Sequence, residues 1–369
     1  MLGLAPRRGC AGPLPLRGRL VTYLRLLLVL AAIWLPLSVQ ASAGEHEPTF
    51  LRCTSDCQAQ RCMRVVDGSR EAVNPLPLYL RLLGWSCPDD CDYHCQIQVT
   101  DQRLAFGEPV LKYHGKWPLV RILGAQEPAA VLFSVWNGYA HWKNRAVLAN
   151  HVHPHYYLRP VLLGYAITGI NTWLWSAVFH VRDTPFTEKL DYFSAGFGIL
   201  YGFYLAVCRV FGVQRPRRQR LLLLGCVALF GVHIIYMCAR SQFDYGHHQL
   251  VCAVVGVAHN LLWCGWALRH CRTRPYAWQV IALVVCVSST LLLGLLNQQP
   301  LGWYLDAHAL WHAATAPLVF WWYRFLLADC AWETGAMGES GLSRLSNQTD
   351  LEQGEVTLPL VSLAREEHN

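Results

Sequence analysis

The sequence predicts an all-α membrane protein, a seven-transmembrane helix bundle with a disulfide-rich luminal N-terminal segment. Of its 369 residues, 53% are hydrophobic and only 15% are charged, which is too apolar for an ordinary soluble domain. Seven apolar segments follow residue 127, and six cysteines are clustered before them. Because backbone groups in lipid find no water to bond, segments that cross the membrane must be helical.

The first 43 residues have the features of a secretory signal peptide. A basic lead precedes the apolar run "LLLVLAAIWLPL", and "ASA" (Ala41–Ala43) fits the small-residue pattern of a cleavage site. The run is about 12 residues long, shorter than the roughly 20 that span a bilayer. We therefore predict a signal peptide at 1–43, with an uncleaved anchor as the alternative because the basic lead is long.

Residues 44–127 are predicted to form a cysteine-rich luminal segment. Its six cysteines follow the patterns C-x3-C-x4-C and C-x3-C-x3-C, and they are Cys53, Cys57, Cys62, Cys87, Cys91 and Cys95. Six thiols in a short secreted segment favour three disulfide bonds, whose pairing the sequence leaves open. A zinc site is the alternative, but these cysteines lack the C-x2-C spacing that is common in zinc sites.

Residues 128–326 are predicted to form the seven-helix transmembrane domain. The expected spans are 128–142, 156–179, 191–211, 221–239, 247–268, 277–296 and 303–326. The first span is the weakest, because it is short, contains Asn137 and His141, and is interrupted by "HWKNR". The acidic residues 327–369 are expected to form a disordered cytosolic tail.

Basic residues in the loops orient this bundle. The loops after the first, third and fifth spans carry most of the loop arginines, which places them in the cytosol. A signal peptide independently places the N-terminus in the lumen and the C-terminus in the cytosol. The loop with Arg182 and Lys189 departs from the pattern. Topology therefore explains the formal charge of +7, and we expect no nucleic-acid partner.

Ionisable residues within the spans indicate the function, since such groups are costly in a membrane. "LDAHALWH" places His308 and His312 four residues apart on one helical face, and "WLWSAVFH" places Ser176 and His180 in the same relation. Asp191 begins the third span. The predicted topology brings all five side chains to the luminal leaflet.

This set suits a catalytic zinc site. Three histidines leave the fourth position of a tetrahedral ion open for water, whose pKa the metal lowers while it polarises a carbonyl oxygen. Asp191 would accept the proton of that water, and Ser176 would donate a hydrogen bond to the developing oxyanion. Asp183 and Asp306 are expected to orient the histidines from behind.

Simpler interpretations apply to single residues in the spans. A lone histidine such as His233 is expected to be a packing residue, and a helical serine such as Ser176 often bonds only a backbone carbonyl. His247 and His248 are candidates for contact with the membrane interface or the substrate. The Ser176–His180 pair, Asp191 and the H-x3-H pair are informative only in combination.

The combined pattern resembles the membrane hydrolase superfamily that includes alkaline ceramidases and adiponectin receptors. Longer stretches resemble one branch, the post-GPI-attachment-to-proteins factor three family of Golgi GPI-specific phospholipases A2, which is known in yeast as the Per-one family. These stretches are "GWSCPDDCDYHC", "HGKWP", "NTWLWSAVFHVRDTPFTEKLDYF", "FDYG" and "LDAHALWH".

The resemblance implies hydrolysis of the sn-2 acyl ester on the inositol phospholipid of GPI-anchored proteins, at the Golgi membrane. It also implies that His180, His308 and His312 bind Zn²⁺ and that Ser176 and Asp191 assist catalysis. The expected partners are thus GPI-anchored proteins, as lipid substrates, and the surrounding membrane lipids. Two alternatives stay open, a seven-span receptor or chaperone with a structural zinc and an amidase that cleaves ceramide. The cysteine-rich segment favours the GPI substrate, because it offers a folded surface for a glycan or an attached protein.

Overall fold

The computed structural model describes residues 42–62, 64–66, 69–71, 76–240, 242–294 and 298–335. The predicted signal peptide, apart from its last two residues, and positions 336–369 of the predicted tail lie outside them. The helices in these ranges are α1 (Pro48–Cys57), α2 (Leu78–Leu82), α3 (Cys87–Ala105), α4 (Pro128–His151), α5 (Arg159–Val181), α6 (Pro185–Val210), α7 (Pro216–Cys238), α8 (Tyr245–His270), α9 (Trp278–Gly294) and α10 (Ala307–Glu333). Strands β1 (Arg64–Val66) and β2 (Ser69–Glu71) form an antiparallel hairpin.

Three nested disulfides join α1 and its π-helical continuation to α3. The pairs are Cys53–Cys95, Cys57–Cys91 and Cys62–Cys87. Cysteines four residues apart lie on one face of a helix, so two antiparallel helices can be joined at successive turns. The prediction of three disulfides is confirmed, and the zinc alternative for these cysteines is wrong. We call this side of the molecule the cysteine-rich end.

Helices α4–α10 form a bundle around a central cavity. Six of them form a closed ring in which each helix packs against the next. The order around the ring is α4, α5, α6, α8, α9 and α10, and α10 packs against α4. Helix α7 packs on the outside of this ring against α6. The largest buried cluster lies towards the end of the bundle opposite the cysteine-rich end, around Trp263, Tyr323 and Phe325.

Among the described residues, four helices are long and apolar enough to cross a membrane, namely α5, α6, α7 and α8, and α9 has a shorter apolar stretch. The chain is therefore a multi-pass membrane protein. Crossing by all seven helices stays a prediction, which the side chains of α4 support.

Helix α4 corrects the prediction for the first span, because it continues through "HWKNR" to His151. Its buried face carries the polar side chains of Ser134, Asn137, His141 and Asn144 beside small or apolar ones. Its exposed face is apolar and aromatic and consists of Leu132, Val135, Trp136, Tyr139 and Trp142. Polar groups inside and apolar groups outside are what a lipid-facing helix requires. An average hydropathy misses this arrangement because it adds the two faces together.

The opposite end of the bundle corrects the predicted start of the tail. Helix α10 continues seven residues past the expected boundary at Leu326 and ends at Glu333. The Asp329 carboxylate is buried there and accepts hydrogen bonds from Arg209 Nε at 2.5 Å and from the Tyr276 hydroxyl at 2.9 Å. Asp329 therefore belongs to the folded bundle, because a buried arginine compensates its charge.

Candidate active site

Three histidines from two helices meet at the cysteine-rich end of the cavity. His180 lies in the last turn of α5, and His308 and His312 lie in the first two turns of α10. The Nε2 atom of His308 is 3.3 Å from that of His180 and 3.0 Å from that of His312. His180 and His312 are buried, and each of the three residues offers a nitrogen within 4.8 Å of the others.

The spacing of these nitrogens fits a zinc ion. Zn–N bonds of about 2.0–2.1 Å at a tetrahedral centre place neighbouring nitrogens about 3.3 Å apart. One N–H group can form a hydrogen bond between two of these imidazole nitrogens. The third nitrogen, which faces the same point, would then have no hydrogen-bond donor. A cation between the three rings satisfies all three lone pairs at once. The donor set and its spacing therefore suit Zn²⁺.

The outer ring nitrogens of two histidines have protein partners. The Nδ1 atom of His180 is bonded to the Glu127 carboxylate, and that of His312 lies 2.9 Å from Ser134 Oγ. A carboxylate only accepts, so His180 carries its proton on Nδ1 and turns the Nε2 lone pair inward. Such bonds from behind fix the tautomer and the ring orientation of a metal ligand.

The two aspartates expected in this orienting role do not occupy it. The Oδ1 atom of Asp306 accepts a hydrogen bond of 2.8 Å from the Ala309 backbone amide, so Asp306 caps the N-terminus of α10. Asp183 lies 2.8 Å from Lys116 Nζ, and no bond to a histidine is present among the described residues. That prediction was wrong, because Glu127, which directly precedes α4, and Ser134 of α4 take the role.

Glu127 is itself held by an ion pair. Lys116 Nζ, from the "HGKWP" loop, lies 2.5 Å from Glu127 Oε1. The backbone amide of Glu127 donates to the His180 carbonyl at 3.1 Å, and that of Gln126 donates to the Val181 carbonyl at 3.1 Å. The loop before α4 is thus fastened to the end of α5 beside the first histidine.

The charges of this pair reinforce each other. Burial alone would raise the pKa of the Glu127 carboxyl, but Lys116 and His180 hold that pKa well below its ordinary value. Burial would lower the pKa of the Lys116 ammonium, but Glu127 and Asp183 raise it above its ordinary value. A carboxylate that stays ionised is a permanent acceptor for His180.

The structure brings the two residues predicted to assist catalysis to the same cavity. Ser176 Oγ lies 3.1 Å from Ser134 Oγ, so Ser134 bridges Ser176 and His312. Asp191 lines the cavity together with Ser176, His308 and His312. Within the described ranges, the Asp191 carboxylate has no hydrogen-bond partner. It is therefore available to exchange a proton with a bound molecule.

The cavity is about 410 Å³ in volume, and its wall is mostly apolar. On α10 it is lined from His308 to Trp322, a distance of about 21 Å at 1.5 Å per residue. Helices α5, α6, α8 and α9 supply most of the remaining wall, and His141 of α4 contributes near the far end. A long, mostly apolar space with the histidine cluster at one end suits an extended acyl chain.

The histidine pair His247–His248 does not line this cavity. His248 is buried, and its Nδ1 atom lies 3.0 Å from Nε2 of His233 on α7. The His247 ring stacks on His233 at a centroid distance of 5.4 Å. These three residues pack α7 against α8. Packing was the expectation for His233, whereas His247 and His248 were expected to contact the membrane interface or the substrate.

Glu127 and Ser134 are the functional candidates that the sequence did not predict. Glu127 directly precedes α4, and Ser134 lies in its second turn. The polar positions 134, 137, 141 and 144 recur every three or four residues, which predicts one helical face. That spacing would have indicated a polar face turned towards the other histidine-bearing helices.

Comparisons with known proteins cover most of the chain. The model of the Per1-like family matches residues 77–330. "GPI-specific phospholipase A2-like PGAP3" of Xenopus tropicalis is 37% identical over 306 residues, which cover 82% of this chain and 94% of the relative. The protein of the same name from Homo sapiens is 34% identical over 309 residues, 83% of this chain and 93% of the relative.

A fungal protein is similar to the same extent. "Protein PER1 homolog" of Schizosaccharomyces pombe is 33% identical over 324 residues, which cover 85% of this chain and 95% of the relative. No solved structure matches the chain.

Proposed function

The chain belongs to the Per1-like family, and from this membership and the geometry of the site we propose that it is a zinc-dependent intramembrane esterase. Its substrate is the inositol phospholipid of GPI-anchored proteins, from which it removes the sn-2 fatty acid. The observation that carries the proposal is the cluster of His180, His308 and His312 at one end of an apolar cavity about 21 Å long. The relatives' names, GPI-specific phospholipase A2-like, support the substrate.

The three histidines would hold the zinc ion through their Nε2 atoms. When bound, such an ion lowers the pKa of a water molecule and polarises an ester carbonyl. The roles of the other residues follow from their hydrogen bonds.

Ser134 sets the direction of a chain of donors. With Nε2 of His312 turned inward, its Nδ1–H donates to Ser134 Oγ, and the Ser134 hydroxyl donates to Ser176 Oγ. The Ser176 hydroxyl proton is then free for the substrate, where it stabilises the carbonyl oxygen as negative charge develops.

Asp191 moves the proton in this scheme. It accepts a proton from the attacking water as the new carbon–oxygen bond forms. It then returns this proton to the sn-2 oxygen of glycerol as the ester bond breaks. The products are a free fatty acid, which occupies the apolar cavity, and a lyso-lipid with its sn-2 hydroxyl restored.

The cysteine-rich end is luminal in this proposal, and the protein resides in the Golgi membrane with a cytosolic C-terminus. Disulfides form in the secretory pathway, which supports a luminal position for the three bonds. The loops at the opposite end carry most of the loop arginines, which supports a cytosolic position for them.

A turnover assay on the purified full chain tests this function. A GPI-anchored protein with a labelled sn-2 acyl chain is the substrate, and His308→Ala is compared with His233→Ala, which removes a buried histidine outside the site. We expect wild type and His233→Ala to release the labelled fatty acid and His308→Ala to release none while it stays folded. Undiminished release by His308→Ala would contradict the proposal.

The same preparations distinguish the alternatives. Cleavage of ceramide alone would indicate an amidase. Absence of turnover, together with a lower melting temperature of His308→Ala, would indicate a receptor or chaperone in which the metal only joins α5 to α10.

A further inference from the structure

Five large apolar side chains are exposed beside the cysteine-rich end of α4. Leu78, Tyr79 and Leu82 are on α2 and are 62%, 50% and 78% exposed. Ile122 and Leu123 form the tip of a turn before α4 and are 46% and 86% exposed. We call these five residues the apolar rim. Contiguous exposed apolar surface of this kind marks an interaction site.

The two parts of the rim form one surface because they pack on each other at Gly124. The Trp85 indole, which follows α2, donates a hydrogen bond of 3.0 Å to the Gly124 carbonyl. Gly124 has a φ of +88°, a conformation that favours glycine, and a Cβ atom there would lie 2.5 Å from the Leu83 side chain. Helix α2 and the turn are therefore held at a fixed distance from each other.

Backbone hydrogen bonds place the turn at the ends of the bundle helices. On one side of it, the Val120 amide donates to the Trp303 carbonyl, just before α10, at 2.9 Å. On the other side, the amides of Gln126 and Glu127 donate to carbonyls in the last turn of α5. Leu123 is five residues from Pro128, the start of α4, and so lies within about 17 Å of it.

The rim is continuous with the apolar face of α4, which is predicted to face lipid. The exposed face of α4 begins with Leu132, Val135 and Trp136, and the chain reaches it directly from the turn. Tyr79 and the exposed Arg81 of α2 are residue types that favour the membrane–water boundary. This continuity favours lipid as the occupant of the rim.

The backbone at Leu123 supports an external contact for its side chain. Leu123 has a φ of +51°, a left-handed conformation that is unusual for a leucine. Glycine or asparagine would adopt it more easily. With 86% of Leu123 exposed, packing within the described chain does not explain a leucine at this position.

We propose that the apolar rim inserts into the lipid leaflet at the cysteine-rich end of the bundle. The rim holds the disulfide-bonded segment against the membrane and keeps the "HGKWP" loop beside the histidine cluster. The inference does not depend on the proposed reaction. A second copy of the chain is the competing occupant.

Labelling from within the membrane tests the rim on the full-length protein. The chain is reconstituted into phosphatidylcholine vesicles that contain a phospholipid with a diazirine in its acyl chain, irradiated, and mapped by mass spectrometry. We expect label on the peptides of Leu82 and Leu123 at the level found for Leu132. The peptide of Leu51, an exposed leucine of α1, should stay at background. Label at Leu132 with background at both rim peptides would overturn the inference.

A charged variant gives the matched control. Leu82→Asp/Leu123→Asp should lose the label at the rim and keep that at Leu132, and Leu51→Asp should label as wild type does. If the double variant does not fold, the wild-type map still decides. Covalent joining of two chains through the rim, with no lipid label on it, would assign the surface to a dimer.

Discussion

Replacing Glu127 tests whether the contacts behind the proposed metal ligands determine zinc binding. The Glu127 carboxylate bonds to Nδ1 of His180 and pairs with Lys116 Nζ at 2.5 Å. Glu127→Ala removes both contacts. Glu127→Gln keeps an acceptor for the imidazole but removes the charge.

The structure sets the size of the expected effect. Loss of a partner behind a metal ligand lowers metal affinity about 10–100-fold, which is about 1.4–2.8 kcal/mol at tenfold per 1.4 kcal/mol. We expect the loss of zinc affinity to be near 100-fold for Glu127→Ala and near tenfold for Glu127→Gln. Breaking a buried ion pair costs about 3–5 kcal/mol of stability. Lys116 keeps Asp183 at 2.8 Å, so the lower end of this range applies.

The assay is a competition titration of purified full-length protein with a zinc chelator, together with thermal unfolding. Glu188→Gln is the control, because Glu188 lies at the same end of the bundle and bonds the Tyr245 hydroxyl instead of a histidine. If the role of Glu127 were purely structural, Glu127→Gln would have a lower melting temperature but an unchanged zinc Kd. Wild-type zinc affinity in Glu127→Ala would refute the reasoning.

Three further predictions concern other parts of the molecule. Ser134→Ala should lower kcat by at least about tenfold. A direct oxyanion donor contributes about 10²–10³-fold, and Ser134 only orients such a donor. Steady-state kinetics measure this effect, with Ser288→Ala as the control because Ser288 is a buried serine outside the site. Asp329→Asn should lower the free energy of unfolding by about 3 kcal/mol, the lower end of the range for a broken buried ion pair, because Arg209 loses its buried partner and keeps only Glu333 at 3.1 Å. Activity per folded molecule should be kept, and equal stability in a denaturant titration would contradict this. His114 bonds to Asp92, and this contact, against the effect of burial, raises the pKa of the imidazole above its ordinary 6.5. Its contribution to stability is therefore full below pH 6.5 and is lost as the pH rises through the higher folded-state pKa, so His114→Gln should lower the melting temperature at pH 6 more than at pH 8.5.

The sequence predicted the parts of the fold that depend on local pattern. Paired cysteines at helical spacing indicated three disulfides, and long apolar runs indicated α5 to α8. The H-x3-H pair placed His308 and His312 on one face of α10, where the structure has them.

Contacts between distant segments were not predictable in this way. Glu127 reaches His180 only because the backbone at 126–127 pairs with the end of α5, and Ser134 reaches Ser176 only through the packing of α4 on α5. The polar face of α4 lowers its average hydropathy, so the sequence alone predicts a weak span there; its neighbours in the fold explain the polar residues. Asp329 was assigned to a tail because its arginine partner lies 120 residues away in sequence.

The central claim is that His180, His308 and His312 hold one zinc ion that catalysis requires. Metal content per chain and release of the sn-2 fatty acid, measured on the same purified preparations of wild type, His180→Ala and His233→Ala, test it most directly. We predict one zinc per chain and product release for wild type and His233→Ala, and neither for His180→Ala. A folded His180→Ala protein that retains its zinc, or that still releases the fatty acid, would contradict the account.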